Sequence, residues 1–389
     1  MLGLHVTRLR ITWAGCSARW RAGRRGLGAF TAFAVFAWAF LLGGIPRPAA
    51  DGFIKGADLS FLHEIEDSGG VYTEDGVPHD VLEIFGDHGF NYVRLRLWHD
   101  PHPGYNNLEH TLPMAARVKA AGLGLLLDIH YSDSWADPGK QYKPAAWSTL
   151  DFAALKDSVY EYTKHVIARF KDEGGLPDMV QIGNEIICGI LWDDGRICGG
   201  FNTPSQWARL GELITKADRG IKDALGPEDS VAVMIHIDRG GDNSGCRWFF
   251  DNLTRQGVGF DVIGLSFYPW WHGTLRDLGA NLRDLASRYD KDIVIVETAY
   301  PWTLAWYDSV HNIVGMPEQL HPGYPATTDG QRDFLTALAD TLRAAPGSRG
   351  RGVFYWAPEY ISVPGVGSPW ENLTLFDFTG EVLPSIGAE

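Results

Sequence analysis

Two glutamates carry the strongest chemical signal in this sequence. Glu185 closes Gln181-Ile182-Gly183-Asn184-Glu185 and Glu297 closes Ile293-Val294-Ile295-Val296-Glu297, so each carboxyl ends a short apolar run. Neither is followed by the helical charge pattern of a solvated surface acid. Cleaving a glycosidic bond needs one carboxyl to protonate the leaving oxygen and another to attack or to assist water, and a close pair gives retention of anomeric configuration. On this reading Glu185 is the acid/base, its pKa raised by its neighbour, and Glu297 is the nucleophile, held ionised by hydrogen bonds.

Polar residues end other apolar runs in the same way: Asp58, Arg94 and Arg96, Asp128 and His130, Asn184, His236 and Asp238, Tyr268, and Trp356. Any one alone is explained as a satisfied polar group at a strand end, and for Asp58 or Asp238 alone that reading is preferred. With Glu297, eight such endings make a rim. Arg94 and Arg96 share one face of their run, and Arg96, nearer its end, is the expected partner of the Glu297 carboxylate. Tyr268 is expected to donate its phenolic hydrogen to that carboxylate, and Asn184 to bond a sugar hydroxyl. Asp58, His130 and His236 join the expected substrate-binding set, with Trp135, Trp356 and Trp98 as stacking platforms. The chain has 15 Trp, many near Gly, Pro or acidic residues, and flat amphipathic rings suit sugar faces. For each ring, core packing competes on even terms.

The elements that must position these residues alternate. Strand-like runs are Ile54 to Leu59, Tyr92 to Leu97, Gly124 to Ile129, Met179 to Ile182, Val231 to Ile235, Val262 to Phe267, Ile293 to Val296 and Gly352 to Tyr355. Helical patterns lie between them: Val81 to His88, Leu108 to Ala120, Leu155 to Phe170, Trp207 to Leu225, Arg247 to Gln256, Leu275 to Tyr289 and Phe334 to Ala344. This order predicts a parallel sheet flanked by helices. Eight units predict closure into a single (β/α)8 TIM barrel over residues 51–389. A doubly wound sheet would open with a glycine-rich phosphate turn, and none follows the first run. In a barrel the strands' C-terminal ends carry the active site, so the rim residues fall together and runs four and seven face each other across the mouth.

Residues 1–50 read as an export leader: six arginines precede an uncharged stretch from Leu27 to Leu42, small residues stand at Ala49 and Ala50, and no acid appears before Asp51. The stretch is short for a membrane span, and Pro48 spoils the cleavage site, so both a cleaved signal and an uncleaved membrane anchor stay open. Without this segment, which holds seven Arg and no acid, the formal charge moves from -14 to about -21. Such an acidic surface repels phosphate backbones, so nucleic acid is not expected as a partner. A neutral substrate outside the cell fits, with the protein secreted or at the cell surface and monomeric. Cys188 and Cys198 are close enough to staple a loop in an oxidising compartment, which leaves Cys246 over. None of the cysteines has metal-ligand spacing.

The segments Asn91-Tyr92-Val93-Arg94-Leu95-Arg96-Leu97-Trp98 and Asp128-Ile129-His130-Tyr131-Ser132-Asp133-Ser134-Trp135-Ala136-Asp137-Pro138-Gly139-Lys140-Gln141 resemble signatures of glycoside hydrolase family 53, the endo-β-1,4-galactanases. So do Ile182-Gly183-Asn184-Glu185-Ile186, Val296-Glu297-Thr298-Ala299-Tyr300 and Trp370-Glu371-Asn372-Leu373-Thr374-Leu375-Phe376-Asp377. The resemblance runs from about residue 53 to the C-terminus. It implies a retaining endo-enzyme acting on galactan, the β-1,4-linked polysaccharide of type I arabinogalactan and pectin side chains. It places acid/base and nucleophile on Glu185 and Glu297, the strand-two arginine on Arg96, and sugar contacts on His130, Trp135 and Trp356. Some bacterial relatives bind calcium in the loop after strand seven. Here that loop reads Trp306-Tyr307-Asp308-Ser309-Val310-His311-Asn312-Ile313, with too few acids for the pattern, so no metal or other cofactor is assigned. The insertion from Cys188 to Phe201 departs from the relatives and lies beside Glu185. Two rival readings remain: an endo-glycanase of the same clan acting on mannan or β-1,4-glucan, and a non-catalytic carbohydrate-binding barrel.

Overall fold

The computed structural model describes residues 52–102 and 104–388, and the leader reading at 1–50 lies outside them. Eight parallel strands close on themselves: β1 (Ile54–Asp58), β2 (Tyr92–Leu97), β3 (Gly124–Ile129), β4 (Met179–Ile182), β5 (Ala232–Ile237), β6 (Val262–Ser266), β7 (Asp292–Thr298) and β8 (Gly350–Trp356). Their order round the barrel is β1-β8-β7-β6-β5-β4-β3-β2. The fold is therefore the (β/α)8 barrel expected from the alternation. Its connecting helices are α1 (Val81–Asp87), α2 (Leu108–Ala120), α3 (Phe152–Asp172), α4 (Pro204–Ala224), α5 (Asn243–Arg255), α6 (Leu275–Tyr289) and α7 (Thr328–Arg343). After β8 the chain runs through irregular segments to a 3-10 turn at Pro384–Gly387.

Four helices begin three to six residues before their apolar periodicity does, because a polar cap starts each of them. Asp151, Thr203, Asp242 and Thr327 each accept a backbone N–H from the first turn of α3, α4, α5 and α7. Such caps contribute about 1 kcal/mol each. Thr274 adds a reciprocal capping box with Asp277 at α6. The short helix Leu62–Asp67 and the hairpin Thr73–Glu74/Val77–Pro78 carry too few residues to show a period and are not read from the sequence.

Inside the barrel, alternate residues of each strand point to the axis. The lower interior is a dry plug of Ile54, Leu126, Met179, Met234, Val262, Val294, Val296 and Phe354, with Tyr92 packed against it. Gly56 is required here, since a Cβ would lie 2.3 Å from the Phe354 ring. One pleat further along the strands the same faces become polar: Asp58, Arg94, Asp128, Gln181, His236 and Ser266, all buried. Strict alternation would turn Glu297 outward, because Val296 already faces the plug. A register shift corrects this: Leu265 pairs with Ile295 but Ser266 pairs with Glu297, and the β8 side is shifted in the same stretch. The extra residue is a bulge that re-aims the Glu297 side chain into the mouth.

Candidate active site at the barrel mouth

A charge network fills the polar layer. The Arg94 guanidinium sends Nη1 to Asp58 Oδ2 at 2.7 Å and to Glu297 Oε1 at 3.0 Å, and Nη2 to Asp128 Oδ2 at 2.8 Å and Asn184 Oδ1 at 2.9 Å. Burial alone would lower its pKa, but Asp128, Glu297 and Asp58 raise it well above the ordinary arginine value. Arg94 is therefore a fixed cation. Burial disfavours charge on Asp128 too, yet Arg94 and His130 bring it down to about 2.

The arginine expectation is corrected here. Arg94, and not Arg96, meets Glu297, because the bulged end of β7 brings the carboxyl to the level of the deeper pleat. Arg96 sits one layer higher, where its guanidinium lies over Trp135, Phe61 and Trp98 at 4.0, 4.6 and 4.7 Å. Burial lowers its pKa to about 10, and Asp58 and Asp128 oppose that shift. It props three rings of the rim.

Glu297 accepts the Tyr268 hydroxyl at 3.1 Å on Oε2, the bond expected of that tyrosine. Burial pushes Glu297 up to about 7, against the pull of the Arg94 guanidinium and the Tyr268 hydroxyl, with Asp58 and Asp128 adding to the rise. Glu185 stands in a different setting. Its Oε1 accepts the Ser266 hydroxyl at 2.7 Å, and no cation pairs with it among the described residues. Burial raises its pKa well above the carboxylate range, and Glu297, Asp238 and Asp137 push the same way while Ser266 opposes. Of the two carboxyls, Glu185 holds its proton longer, since only Glu297 has a guanidinium against it. Glu185 also has left-handed backbone, φ 49° and ψ 51°, an unfavourable state for a residue with a Cβ, reached through Gly183 at φ 79°.

Other rim residues turn inward to the protein. Asn184 donates from Nδ2 to the Ala136 carbonyl at 2.9 Å. His130 donates from Nε2 to Asp128 at 2.9 Å while its Nδ1 accepts from Trp98 Nε1 and the Ala136 N–H, both at 3.2 Å. Asp58 is tied to Arg94 and to Ser60, and His236, fully buried, meets Ser266 at 2.9 Å and the Glu185 backbone N–H at 3.3 Å. These four hold the machinery in register behind the carboxyls. The half-buried rings do line the rim: Trp356 packs on Trp370 at 4.6 Å and Trp135 at 6.1 Å, and Trp135 lies 5.2 Å from Trp98. Three participants were not singled out from sequence. Ser266 and Gln181 lie on the inward pleat, and that parity is the signal that could have found them. Trp370, in the tail, follows no strand end, and its place in residues 370–377 of the family resemblance is the signal that could have found it.

Cys188 and Cys198 are joined in a disulfide that staples the hairpin Gly189–Ile190/Gly195–Arg196 directly after Glu185, and Cys246 is free and buried. In the loop after β7, Asp308 accepts the Val310 and Ser368 N–H groups and the Ser362 hydroxyl, while Glu371 takes the Tyr307 N–H. These acids are engaged by protein donors, and among the described residues no group of three or more His, Cys, Asp or Glu could hold a metal ion. Among the described residues no helix is long and apolar enough to cross a membrane.

Residues 54–388 match the model of glycosyl hydrolase family 53. A Niallia circulans protein described by its place in the bgaB 5′ region is 48% identical over 345 residues, covering 87% of this chain and 93% of that one. The arabinogalactan endo-β-1,4-galactanase of Cellvibrio japonicus is 36% identical over 337 residues, covering 84% and 87%. Among solved structures, the Ignisphaera aggregans GH53 catalytic domain superposes with a TM-score of 0.82 at 39% identity, covering 89% of this chain and 97% of that one.

Proposed function

The chain belongs to glycosyl hydrolase family 53, and on that premise we propose that it is a retaining endo-β-1,4-galactanase in which Glu185 is the acid/base and Glu297 the nucleophile. It is a glycoside hydrolase, and the finer reading adds substrate, stereochemistry and roles. The observation that carries it is the asymmetry of the two carboxyls: a guanidinium 3.0 Å from Glu297 and only a serine hydroxyl on Glu185. Glu297, ionised, attacks the anomeric carbon of the sugar while Glu185 gives its proton to the departing glycosidic oxygen. Water then attacks the glycosyl-enzyme, loses a proton to Glu185 and releases Glu297. Tyr268 and Arg94 stabilise the nucleophile's charge before attack, and Asn184 retains one amide proton for a sugar hydroxyl. Trp356, Trp135 and Trp98 supply apolar faces for the chain of sugar rings. The chemistry needs no cofactor.

We further read residues 1–50 as an export leader, cleaved or kept as an anchor, ahead of a catalytic domain at 51–389, in a monomer that is secreted or held at the cell surface. The disulfide supports an oxidising compartment. Reducing-sugar release from potato galactan, set against mannan and carboxymethylcellulose, tests the substrate. Galactan is expected to be cut at least ~10-fold faster than either, in keeping with hydroxyl recognition by buried polar groups. Equal or greater rates on mannan or carboxymethylcellulose overturn the assignment.

A further inference from the structure

The Ser266 hydroxyl that meets Glu185 is itself held by His236, and the direction of that contact can be worked out. At His236 Nδ1, three groups converge: the Glu185 backbone N–H at 3.3 Å, Gln181 Nε2 at 3.1 Å and Asn184 Oδ1 at 3.0 Å. Two are donors. A bare Nδ1 accepts both, whereas an Nδ1–H would satisfy only the Asn184 oxygen and oppose two hydrogens. Asn184 Oδ1 has no need of that proton, since it already accepts from Arg94 Nη2 at 2.9 Å. The ring proton therefore sits on Nε2, which faces Ser266 Oγ at 2.9 Å. Ser266 accepts there and has its own proton left for Glu185 Oε1 at 2.7 Å. The ring is neutral, because burial and Arg94 hold its pKa well below the ordinary histidine value.

We propose that His236 and Ser266 form a one-way donor chain, His236 Nε2–H to Ser266 Oγ–H to Glu185 Oε1, which makes Oε1 a permanent acceptor and confines the transferable proton to Oε2. Both are positioning residues, and the inference rests on the acid/base role read for Glu185 above. Among the described residues Oε2 has no protein partner, and Glu185 is only partly buried, so Oε2 is the oxygen open to the leaving group. The same chain works in both half-reactions. Oε1 accepts from Ser266 whether Oε2 carries a proton to give or has just lost it, so no tautomer change is needed when the acid turns base. The His236 ring also takes the Glu185 N–H, so one side chain fixes that residue's backbone and carboxyl together at a strained φ.

The groups facing the Glu185 carboxyl are Glu297 on β7, Asp238 after β5, Asp137 in the loop after β3 and Tyr268 after β6. All the acids among them oppose its ionisation. The Ser266 hydroxyl favours the charged form, so its removal has a defined sign: the pKa of Glu185 rises.

The test is Ser266→Ala with Ser266→Thr beside it, on galactan and on 2,4-dinitrophenyl β-galactobioside, whose leaving group needs no acid. In Ser266→Ala the alkaline limb of kcat/KM is expected to move to higher pH by about one unit. The rate at the optimum should fall by about 10-fold or more on galactan and by under about 3-fold on the aryl substrate. Ser266→Thr, which keeps the hydroxyl, should restore the limb. An unmoved limb with equal losses on both substrates assigns Ser266 a merely structural role and overturns the proposal. Nitrogen-15 NMR of the wild-type histidines tests the direction without any variant: an Nε2–H tautomer at His236 is expected, and an Nδ1–H tautomer reverses the chain and sinks it. Absence of galactan cleavage by wild type would instead overturn the substrate reading, and the tautomer measurement would still stand.

Discussion

Glu185 and Glu297 are the same residue type at the same barrel mouth, and their surroundings separate them. Glu297 has a buried guanidinium on Oε1 and a phenol on Oε2, while Glu185 has a serine hydroxyl on one oxygen and, among the described residues, no partner on the other. Burial pushes both toward the neutral form. A single cation, Arg94, decides which of them ionises first. The proposed division of roles thus rests on a residue that touches four polar partners and leaves almost none of its surface to solvent.

That difference can be broken from either side. Replacing Glu297 with Ala removes the proposed nucleophile, and galactan turnover is expected to fall by on the order of 10⁴-fold or more in initial-rate assays. Replacing Glu185 with Ala should cost roughly 10²- to 10⁴-fold on galactan and far less on the dinitrophenyl substrate. Equal losses on the two substrates would count against its acid role. Arg94→Met leaves Asp58, Asp128 and Glu297 facing one another without their cation, and should destabilise the fold by about 3–5 kcal/mol in denaturant titration. Arg94→Lys keeps the charge without the fork and should fall between Met and wild type.

The pH profile sharpens the same contrast. The proposed mechanism needs Glu297 ionised, so kcat/KM should fall as pH drops through its pKa; it needs Glu185 protonated, so the rate should fall again as pH rises through the higher pKa of that group. Tyr268→Phe removes a hydrogen bond that favours the charged form of Glu297, so its pKa rises and the acidic limb should move upward, by about one unit or less. The alkaline limb should barely move. A Tyr268→Phe profile shifted only on the alkaline side would mean that the tyrosine serves Glu185 instead.

How far the sequence could be read follows from what each residue depends on. Barrel strands are buried on both faces, so their apolar runs stand out and the polar residue ending each run is visible; Glu185, Glu297 and Tyr268 were singled out in this way. The choice between Arg94 and Arg96 was not decidable from spacing, because both share a face and the winner depends on a bulge in β7, which no local pattern marks. His236 and His130 were read as sugar contacts because they end strands, yet their partners lie on neighbouring strands and turn them inward. Ser266 looks like a small residue filling space until Glu185, 81 positions away, is brought beside it. Helix starts were missed where polar caps precede the apolar stripe, as at Asp151 and Thr327.

The division of labour between the two carboxyls is tested most directly by adding azide to both alanine variants and determining the anomeric configuration of the products by proton NMR. Glu297→Ala should yield α-galactosyl azide, formed by direct displacement in the nucleophile's place, and Glu185→Ala should yield β-galactosyl azide, formed by capture of the glycosyl-enzyme. The opposite pairing, or one configuration from both variants, would contradict the assignment.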